Sequence, residues 1–294
     1  MDAPDSGSGA ADRPVIVRDV AALRATMRAF RSAGERVALV PTLGALHEGH
    51  LALVRAGRER ARRTVVSIFV NPTQFGPNED VDRYPRTEAA DIEKLRGIGA
   101  DVVFLPTLGD MYPPGFSTTV AVADLTSGLC GPFRPGHFAG VATVVSKLLL
   151  QALPDFAMFG EKDFQQLQVV RRVQRDLDIP VEIVGVPTVR EPDGLALSSR
   201  NVYLSPAERR AASIMYRVIS EVAAGVAAGH PAGPLLAEGR RVLDEAGFGP
   251  VQYLEVADEA TLTPVERPTA PARVIAAAFL GRTRLIDNVP VPRA

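Results

Sequence analysis

The chain has 294 residues, of which 46% are hydrophobic and 23% charged, and its formal net charge is -1. This length allows a large domain and a smaller one, and the near-neutral charge excludes a general attraction for nucleic acid or an anionic membrane. A single cysteine, Cys130, excludes an internal disulfide framework and a multi-cysteine metal site, and it suits a reducing compartment, so we expect a cytoplasmic protein.

The N-terminal segment, MDAPDSGSGAADRP, is small and polar. It lacks the basic region and the apolar stretch that together form a signal peptide. We therefore expect residues 1–13 to form a disordered tail.

Several short apolar runs, mostly β-branched, are typical of buried strands. They lie at residues 36–40, 64–70, 101–105, 156–159 and 181–186. Helical patterns separate them at residues 51–61, 88–96, 141–150 and 164–177. This alternation predicts an α/β domain with a Rossmann-like, doubly wound parallel sheet over residues 14–189. Ligands bind such sheets beyond the carboxyl ends of the strands, so we expect the site after residues 40, 70, 159 and 186.

The composition of the sequence changes after Pro187. Ser205, Pro206 and Glu208 form a helix-start pattern in which the serine caps, the proline takes the first position and the glutamate completes a capping box. An alanine-rich run reaches about residue 228, and a helix near 235–246 and strands near 252–256 and 272–279 follow. We predict a smaller α+β domain over residues 190–294, with its own core, that closes over the active site.

The first polar motif is PTLGALHEGH, residues 41–50, which runs from a predicted strand into a predicted helix. A helix N-terminus attracts phosphate through its unpaired amides and its dipole. Gly49 lets the backbone approach closely, and His47 and His50 can face one bound phosphate chain. The spacing differs from the zinc-binding HExxH pattern, in which the histidines are four residues apart. The alternative interpretation is a polar turn whose histidines only cap a helix.

Lysine is scarce in this chain: it occurs only at Lys94, Lys147 and Lys162, and the rest of the 33 basic residues are arginine. A chain that uses arginine almost everywhere can keep a lysine where a compact ammonium group is needed. Lys162 lies in GEKDFQQ, residues 160–166, at another predicted strand end, where it could neutralise phosphate charge. Asp163 is placed as a helix cap, and the two glutamines offer amide groups that suit a hydroxy acid. The alternative is a capped helix with a solvated lysine.

A third motif, LSSRN at residues 197–201, lies near the predicted domain junction. Arg200 could bind phosphate oxygens with charge-assisted hydrogen bonds while Ser198 and Ser199 donate. The alternative is an ordinary surface loop that stops before a capped helix.

Three further segments carry polar residues: NPTQFG at 71–76, RYPRT at 83–87 and RPGHFAG at 134–140. Gln74 is a polar group in an otherwise apolar segment. Taken singly, each segment is typical of a turn, a helix cap or a solvated loop.

Taken together and in this order, the motifs resemble the pantoate–β-alanine ligase (pantothenate synthetase) family over about residues 15–288. The matching blocks are PTLGALHEGH, SIFVNPTQFGPNEDVDRYPRT, MYP, RPGHFAGV, FGEKDFQQL and LSSRN. They are specific jointly, whereas the HEGH element alone would indicate only the wider HxGH nucleotidylyltransferase-like superfamily.

The resemblance implies a homodimeric, Mg²⁺-dependent enzyme that joins (R)-pantoate and β-alanine. ATP and pantoate would give pantoyl adenylate and pyrophosphate, and β-alanine would then displace AMP. The reacting carboxylate and the α-phosphate are both anionic, so cationic groups must stabilise the charge that moves onto pyrophosphate. Lys162 and the two histidines of HEGH are the candidates.

The roles of individual residues follow from the matching motif positions. Catalytic roles are implied for His47, His50, Lys162 and Arg200. The implied ATP site contains these four residues together with Pro41, Thr42, Leu43, Gly44, Gly49, Gly160, Glu161, Asp163, Val189, Leu197, Ser198 and Ser199. Pantoate would be held by Gln74, Gln166 and Asn71, and β-alanine by Gln74 and Arg134. Phosphate oxygens would hold most of the metal, with a contribution from Asp91.

Two positions depart from the family pattern. Leu43 stands where methionine is common, and its similar apolar volume predicts little consequence. Cys130 stands where many members carry glutamate, so no polar role is transferred to it. Two other functions stay open at this point: another nucleotidylyltransferase acting on a phosphorylated substrate, and a non-catalytic nucleotide-binding protein.

Overall fold

The structure, a computed structural model, describes residues 13–76, 81 and 84–293. Residues 1–12 of the expected tail and Arg83 of the RYPRT segment lie outside the described residues. A six-stranded sheet is built from β1 (Val15–Val17), β2 (Val37–Thr42), β3 (Arg63–Ile68), β4 (Val102–Phe104), β5 (Phe156–Gly160) and β6 (Glu182–Val186). All neighbouring strands in it are parallel, and their order is β1-β4-β3-β2-β5-β6.

Both faces of this sheet are covered by helices. The helices before and between its strands are α1 (Val20–Ser32), α2 (Glu48–Arg60), α3 (Glu88–Ile98), α4 (Leu108–Met111), α5 (His137–Ala152) and α6 (Phe164–Asp176). Successive residues of β2 point to opposite faces, so Leu39 packs with α1, α5 and α6 while Val40 packs with α2 and α3. Burial on both faces explains why the strands are continuous apolar runs.

The sheet winds in two directions from its middle. From β2 the chain continues through β3 to β4 on one side, whereas β5 and β6 lie on the other side of β2. The crevice between β2 and β5 is therefore the topological switch point of the sheet. This arrangement confirms the predicted Rossmann-like, doubly wound sheet.

A second, antiparallel sheet follows three helices. These elements are α7 (Pro206–Ala212), α8 (Ile214–Ala227), α9 (Ala232–Glu245), β7 (Phe248–Asp258), β8 (Ala272–Leu280) and β9 (Thr283–Pro290), with strand order β7-β8-β9. Ser205 accepts from the amide of Glu208, whose carboxylate accepts from the amide of Ser205, so the predicted capping box is confirmed. The α+β character predicted for this part of the chain is also confirmed.

The small sheet packs against an apolar cluster on each of its faces. One face of the small sheet packs on α8 and α9, but residues of its other face join the cluster between the large sheet and α5 and α6. These residues include Tyr253, Ala257, Ile275 and Ala277. The C-terminal part therefore has an apolar cluster of its own with α8 and α9, while the other face of its sheet is buried against the core of the large sheet.

Four of these helices and strands were absent from the sequence prediction: β1, α1, α4 and β9. β1 is a three-residue edge strand whose Val15 and Ile16 are exposed, so it carries little apolar pattern. α1 precedes β2, and β9 contains Arg284, Asp287 and Asn288 among its apolar residues. Among the described residues, no helix combines the length and apolarity needed to cross a bilayer.

Candidate active site

A cavity of about 1420 Å³ lies at the carboxyl ends of β2, β3, β5 and β6. The segments that follow these strands line it, as the doubly wound sheet predicts. The C-terminal part of the chain completes its wall through the segment around Ser198 and the hairpin between β8 and β9.

The HEGH segment forms the first turn of α2 in an unusual way. The ring Nδ1 of His47 accepts from the amide of Gly49 at 3.1 Å, and Nδ1 of His50 accepts from the amide of His47 at 3.3 Å. A Cβ at residue 49 would lie only 2.9 Å from Cε1 of His47, so glycine lets the His47 ring fold over the helix start. The two rings lie 4.1 Å apart, centroid to centroid. Both histidines therefore cap the helix, and both also line the cavity.

Both histidines are held in the neutral form. Burial, followed by the positive charges of Lys162 and Lys94, lowers the pKa of His47 to about 4. Burial, with the neighbouring His47 as the next cause, lowers the pKa of His50 to about 3. Since Nδ1 of each ring accepts a hydrogen bond, the proton of the neutral ring sits on Nε2. In the free protein the two rings therefore present neutral N–H donors, so any help that they give to the leaving pyrophosphate would come from hydrogen bonds.

The loop before α2 is clamped by α3. The carboxylate of Asp91 accepts from the amides of Ala45 at 2.9 Å and Leu46 at 2.8 Å, and it also accepts from the hydroxyl of Thr87. The ammonium of Lys94, one turn later, donates to the carbonyl of Leu46 at 2.6 Å. Asp91 is 0% exposed, it does not line the cavity, and both of its oxygens accept hydrogen bonds from the protein. The metal-binding role considered for Asp91 is therefore corrected to a role in holding this loop.

The GEKD segment turns sharply at the end of β5. Residues Glu161–Asp163 form a single 3₁₀ turn that leads into α6, and Lys162 and Asp163 line the cavity. Glu161 points elsewhere: its carboxylate accepts from Arg273 of β8 at 3.3 Å. The side chain of Glu161 therefore belongs to the contact with the small sheet and does not line the cavity.

The LSSRN segment reaches the cavity at the end of a hairpin. Arg190 pairs with Ala196 across this hairpin, and the amide of Leu197 donates to the carbonyl of Val189. The hydroxyl of Ser198 accepts from the amide of Arg200 at 3.3 Å, which closes a 3₁₀ turn. This geometry turns Ser198, Ser199 and Arg200 toward the cavity.

A second tie holds this turn from across the cavity. The hydroxyl of Tyr84, a buried residue of the RYPRT segment, lies 3.2 Å from the hydroxyl of Ser199. The ring of Tyr84 meets that of Phe75 edge to face at 6.0 Å. The segments that follow β3 therefore contact the LSSRN turn directly.

Gln74 is oriented by residues behind the cavity wall. The amide group of Asn71 donates to Oε1 of Gln74 at 3.0 Å and to the carbonyl of Gly140 at 3.2 Å. Its Oδ1 accepts from Tyr112 at 2.8 Å. Asn71 is fully buried and does not line the cavity, so its expected contact with pantoate is corrected: it holds Gln74, whose Nε2 is left to meet a ligand.

Arg134 and His137 approach Gln74 from the start of α5. Nδ1 of His137 donates to the carbonyl of Gln74 at 2.8 Å, and its Nε2 accepts from Arg134 at 3.0 Å, because a carbonyl can only accept and a guanidinium can only donate. Arg134 also reaches the carbonyl of Gln74 at 3.4 Å. The guanidinium is thereby fixed at the cavity wall.

Most of the residues expected in the site do line this one cavity. They are Pro41, Thr42, Leu43, His47, Gly49, His50, Gln74, Arg134, Gly160, Lys162, Asp163, Gln166, Val189, Leu197, Ser198, Ser199 and Arg200. Four expected residues lie behind its wall: Gly44, Asn71, Asp91 and Glu161. Gly44 instead makes the turn of the clamped loop, with a φ of +89°, and a Cβ added there would lie 3.4 Å from Oδ2 of Asp91.

The sequence prediction missed the contribution of β9. Arg282, Arg284 and Asp287 line the cavity, and Arg284 also donates to Gln252 at 2.7 Å and lies 3.5 Å from the sulfur of Cys130. No local motif marks these residues. The only available signal was the run of charged residues in an otherwise apolar C-terminal segment.

Comparisons with known proteins agree with this geometry. The pantothenate synthetase of Paramagnetospirillum magneticum is 58% identical over 276 residues, covering 94% of this chain and 97% of its own length. The crystal structure of pantothenate synthetase from Thermus thermophilus superimposes with a TM-score of 0.89 at 48% identity, covering 94% of this chain and 99% of that one. The structure of the pantoate-beta-alanine ligase of Francisella tularensis, complexed with beta-gamma ATP and beta-alanine, superimposes with a TM-score of 0.80 at 31% identity. The match covers 94% of this chain and 97% of that one.

The family assignment rests on nearly the whole chain. A family model described as pantoate-beta-alanine ligase matches residues 15–290, which include both sheets and every segment of the cavity described above. The chain therefore belongs to the pantoate–β-alanine ligase family.

Proposed function

We propose that the protein joins (R)-pantoate and β-alanine to form pantothenate, with ATP as cosubstrate and pantoyl adenylate as the intermediate. The observation that carries this proposal is one cavity that combines a phosphate-facing helix start with two carboxamides. His50 lies at this helix start and Lys162 lies in the turn before α6, and both line the cavity. Gln74 and Gln166 supply the two carboxamides. The relative from Francisella tularensis, complexed with beta-gamma ATP and beta-alanine, supports the same pair of ligands here.

The triphosphate of ATP would lie against the start of α2 and the turn at Lys162. His47 and His50 supply neutral Nε2–H donors there, and Lys162 and Arg200 supply positive charge. In the part of the chain that the structure describes, Lys162 makes no ion pair with a carboxylate, so its charge stays available to an anion. Ser198 and Ser199 add hydroxyl donors from the opposite side.

Pantoate would bind on the carboxamide side. It carries hydroxyl groups, a carboxylate and a dimethyl-substituted carbon, which match amide groups set among apolar residues. Gln74 and Gln166 supply the amides, and Phe69, Val144 and Leu148 are among the apolar lining residues.

The first step needs position more than proton transfer, because a carboxylate is already ionised and nucleophilic at neutral pH. A carboxylate oxygen of pantoate forms a bond to the α-phosphorus while the bond to pyrophosphate breaks. The donors and cations of the cavity would hold the two anions in line and stabilise the leaving pyrophosphate.

In the second step the amine of β-alanine attacks the acyl carbon, AMP leaves and the amine loses a proton. Arg134, fixed beside Gln74, would meet the β-alanine carboxylate.

Mg²⁺ would enter with ATP. The described residues contain no group of three or more His, Cys, Asp or Glu side chains that could hold a metal ion. This suits an ion that keeps phosphate oxygens and water as most of its ligands. When bound, the ion would neutralise phosphate charge.

Three further features belong to this proposal. Residues 190–294 would act as a smaller domain that closes over the cavity, which the cavity contacts of LSSRN and β9 support. The enzyme would be a homodimer, by resemblance to the family, and light scattering would measure its mass. It would work in the cytoplasm, a compartment that suits a chain with one buried cysteine.

The deciding experiment is ATP–pyrophosphate exchange with (R)-pantoate present and β-alanine absent. We expect exchange that depends on pantoate, followed by pantothenate and AMP when β-alanine is added. If exchange is absent, single-turnover AMP formation upon addition of β-alanine tests whether pyrophosphate is merely trapped. Absence of both would overturn the proposal. Pyrophosphate release with phosphorylated acceptors instead would identify another nucleotidylyltransferase, and ATP binding without turnover would identify a nucleotide-binding protein.

A further inference from the structure

Asn288 of β9 joins the small sheet to the turn that carries Lys162. Its side-chain nitrogen donates to the carbonyl of Glu161 at 2.9 Å and to the carbonyl of Lys162 at 2.9 Å. Its side-chain oxygen accepts from Arg273 at 2.7 Å. The residue is 3% exposed, so water cannot replace these bonds. All the hydrogen-bonding groups of this carboxamide are therefore used within a buried contact between the two sheets.

These bonds fix the backbone from which the Lys162 side chain projects. Lys162 sits in a single 3₁₀ turn, Glu161–Asp163, which joins the end of β5 at Gly160 to the start of α6 at Phe164. A lysine side chain is long and flexible, so the direction of its first bond decides which region its ammonium group can reach. Two carbonyls held by one amide group leave this turn little freedom to rotate.

A neighbouring contact holds the carboxylate of Glu161, the residue before Lys162, away from the cavity. Arg273 holds the carboxylate of Glu161 at 3.3 Å and that of Glu259 at 3.0 Å, and its guanidinium lies 4.1 Å from the ring of Phe164. Glu161 is thereby kept outside the cavity wall, whereas Lys162 lines the cavity. The bond from Arg273 to Asn288 ties this arrangement to β9.

The residue before Asn288 anchors the strand at this place. Asp287 forms a two-fold ion pair with Arg190, with distances of 2.6 and 2.9 Å, and it also accepts from the amide of Asn288 at 2.7 Å. Asp287 is 4% exposed. Arg190 belongs to the hairpin that leads to LSSRN, so the β9 strand is fixed against both phosphate-facing segments.

We propose that Asn288 is a positioning residue that acts through Lys162: its carboxamide holds the Glu161–Lys162 turn so that the Lys162 ammonium meets the ATP phosphates. This inference deepens the proposed function and rests on it for the identity of the anion. A carboxamide is suited to this task because it offers two N–H donors and an oxygen acceptor in one plane. An ionised aspartate of the same shape would keep the bond from Arg273 but lose both donors.

The test is a double-mutant cycle between Asn288→Ala and Lys162→Ala, with ATP affinity and the single-turnover adenylation rate as readouts. In the otherwise unchanged protein, Asn288→Ala should lower the adenylation rate on the order of 10- to 100-fold, the scale of a displacement of about 1 Å in an active site. In the Lys162→Ala background it should change both readouts by less than about twofold, since the residue it positions is absent.

A second variant and a control separate this role from folding. Asn288→Asp keeps the shape and the Arg273 contact, and it should be as impaired as Asn288→Ala. Gln174→Ala removes a comparable carboxamide–carbonyl bond, 2.9 Å long, to Ile179 near the far end of α6, and it should leave both readouts unchanged. Thermal unfolding of every variant fixes a temperature at which all are folded.

Two results would overturn the proposal. One is the same fold-loss from Asn288→Ala in both backgrounds, and the other is near-normal adenylation by Asn288→Asp. The ATP-affinity cycle needs no pantoate, so it decides the positioning role even if the unchanged protein shows no pantoate-dependent exchange and the proposed function fails.

Discussion

The rim of the parallel sheet and the small antiparallel sheet build the same cavity in different ways. The rim supplies groups on turns that directly follow strands, and some of their contacts are local: the ring of His47 bonds to the amide of Gly49, and the side chain of Asn71 to that of Gln74. The small sheet acts over long separations, as when Asn288 reaches the carbonyls of residues 161 and 162. The comparison teaches that chemical groups can be encoded locally while their alignment depends on a distant strand.

The largest expected effect tests a chemical group that a turn at the end of a strand supplies. Lys162→Ala should lower the adenylation rate by roughly 100- to 1000-fold, the usual loss when one preorganised electrostatic donor is removed. The measurement is single-turnover formation of the adenylate. Lys147→Ala is the matched control, because Lys147 stacks 4.9 Å over the ring of Phe116 and does not line the cavity. A near-normal rate for Lys162→Ala would contradict the assignment.

The next effect tests whether the loop before α2 depends on distant support. Asp91→Ala removes the acceptor of two buried amides, so the free energy of unfolding should fall by about 2 to 4 kcal/mol. The KM for ATP should rise, while the Mg²⁺ concentration for half-maximal activity should stay the same. Glu93→Ala, on the same helix but in an exposed ion pair, is the control. A shift in the Mg²⁺ requirement without loss of stability would restore the metal-binding role.

A smaller effect concerns pH. In the unfolded chain the pKa of histidine is about 6.5, whereas folding lowers the pKa of His50 to about 3. The unfolded state therefore binds the additional proton, so this contribution to stability is present above pH 6.5 and is lost as the pH falls toward 3.

The variant His50→Gln should lessen this dependence. Between about pH 6.5 and pH 4 the free energy of unfolding of the variant should fall less steeply with decreasing pH than that of the unchanged protein. The difference in slope should correspond to at most one bound proton. Urea unfolding at several pH values measures the slope. His230→Gln, at an exposed position between α8 and α9, should keep the original slope. An unchanged slope in His50→Gln would show that the ring is not buried in the neutral form.

The smallest effect is expected at Leu43, where the cavity wall tolerates a change of shape. Leu43→Met conserves apolar volume, so stability should change by less than about 1.5 kcal/mol. The ratio kcat/KM for ATP should stay within about twofold. A tenfold loss would mean that the shape of this side chain, rather than its volume, positions the nucleotide.

Much of the large sheet could be predicted because its information is local. β2, β3, β5 and β6 are nearly continuous apolar runs, and α2, α3, α5 and α6 begin close to where the patterns place them, with α5 starting four residues earlier at His137. β9 was missed because polar residues interrupt its apolar pattern, and two of them, Asp287 and Asn288, pair with residues more than 90 positions away in sequence. Those partners leave no trace in the local pattern.

The same physical difference separates the expected site residues that line the cavity from those that lie behind its wall. Residues that reach the cavity from a strand end, such as His50, Lys162 and Gln74, could be predicted from position alone. Asn71 and Asp91 carry the same kinds of polar atoms, yet buried backbone and side-chain partners occupy them. Sequence shows which groups a segment contains, but hydrogen-bond partners from other segments decide which groups a ligand can reach.

The apolar cluster that runs from the large sheet into the small one limits how parts of this chain can be exchanged with relatives. Ile275 and Ala277 belong to the same cluster as residues of α5 and α6, such as Leu148 and Val170. A chimera that took its last hundred or so residues from a relative would place foreign side chains against these helices. Folding of the chimera would depend on compatible packing between the small sheet and helices α5 and α6. The two sheets should therefore be inherited and recombined as one unit.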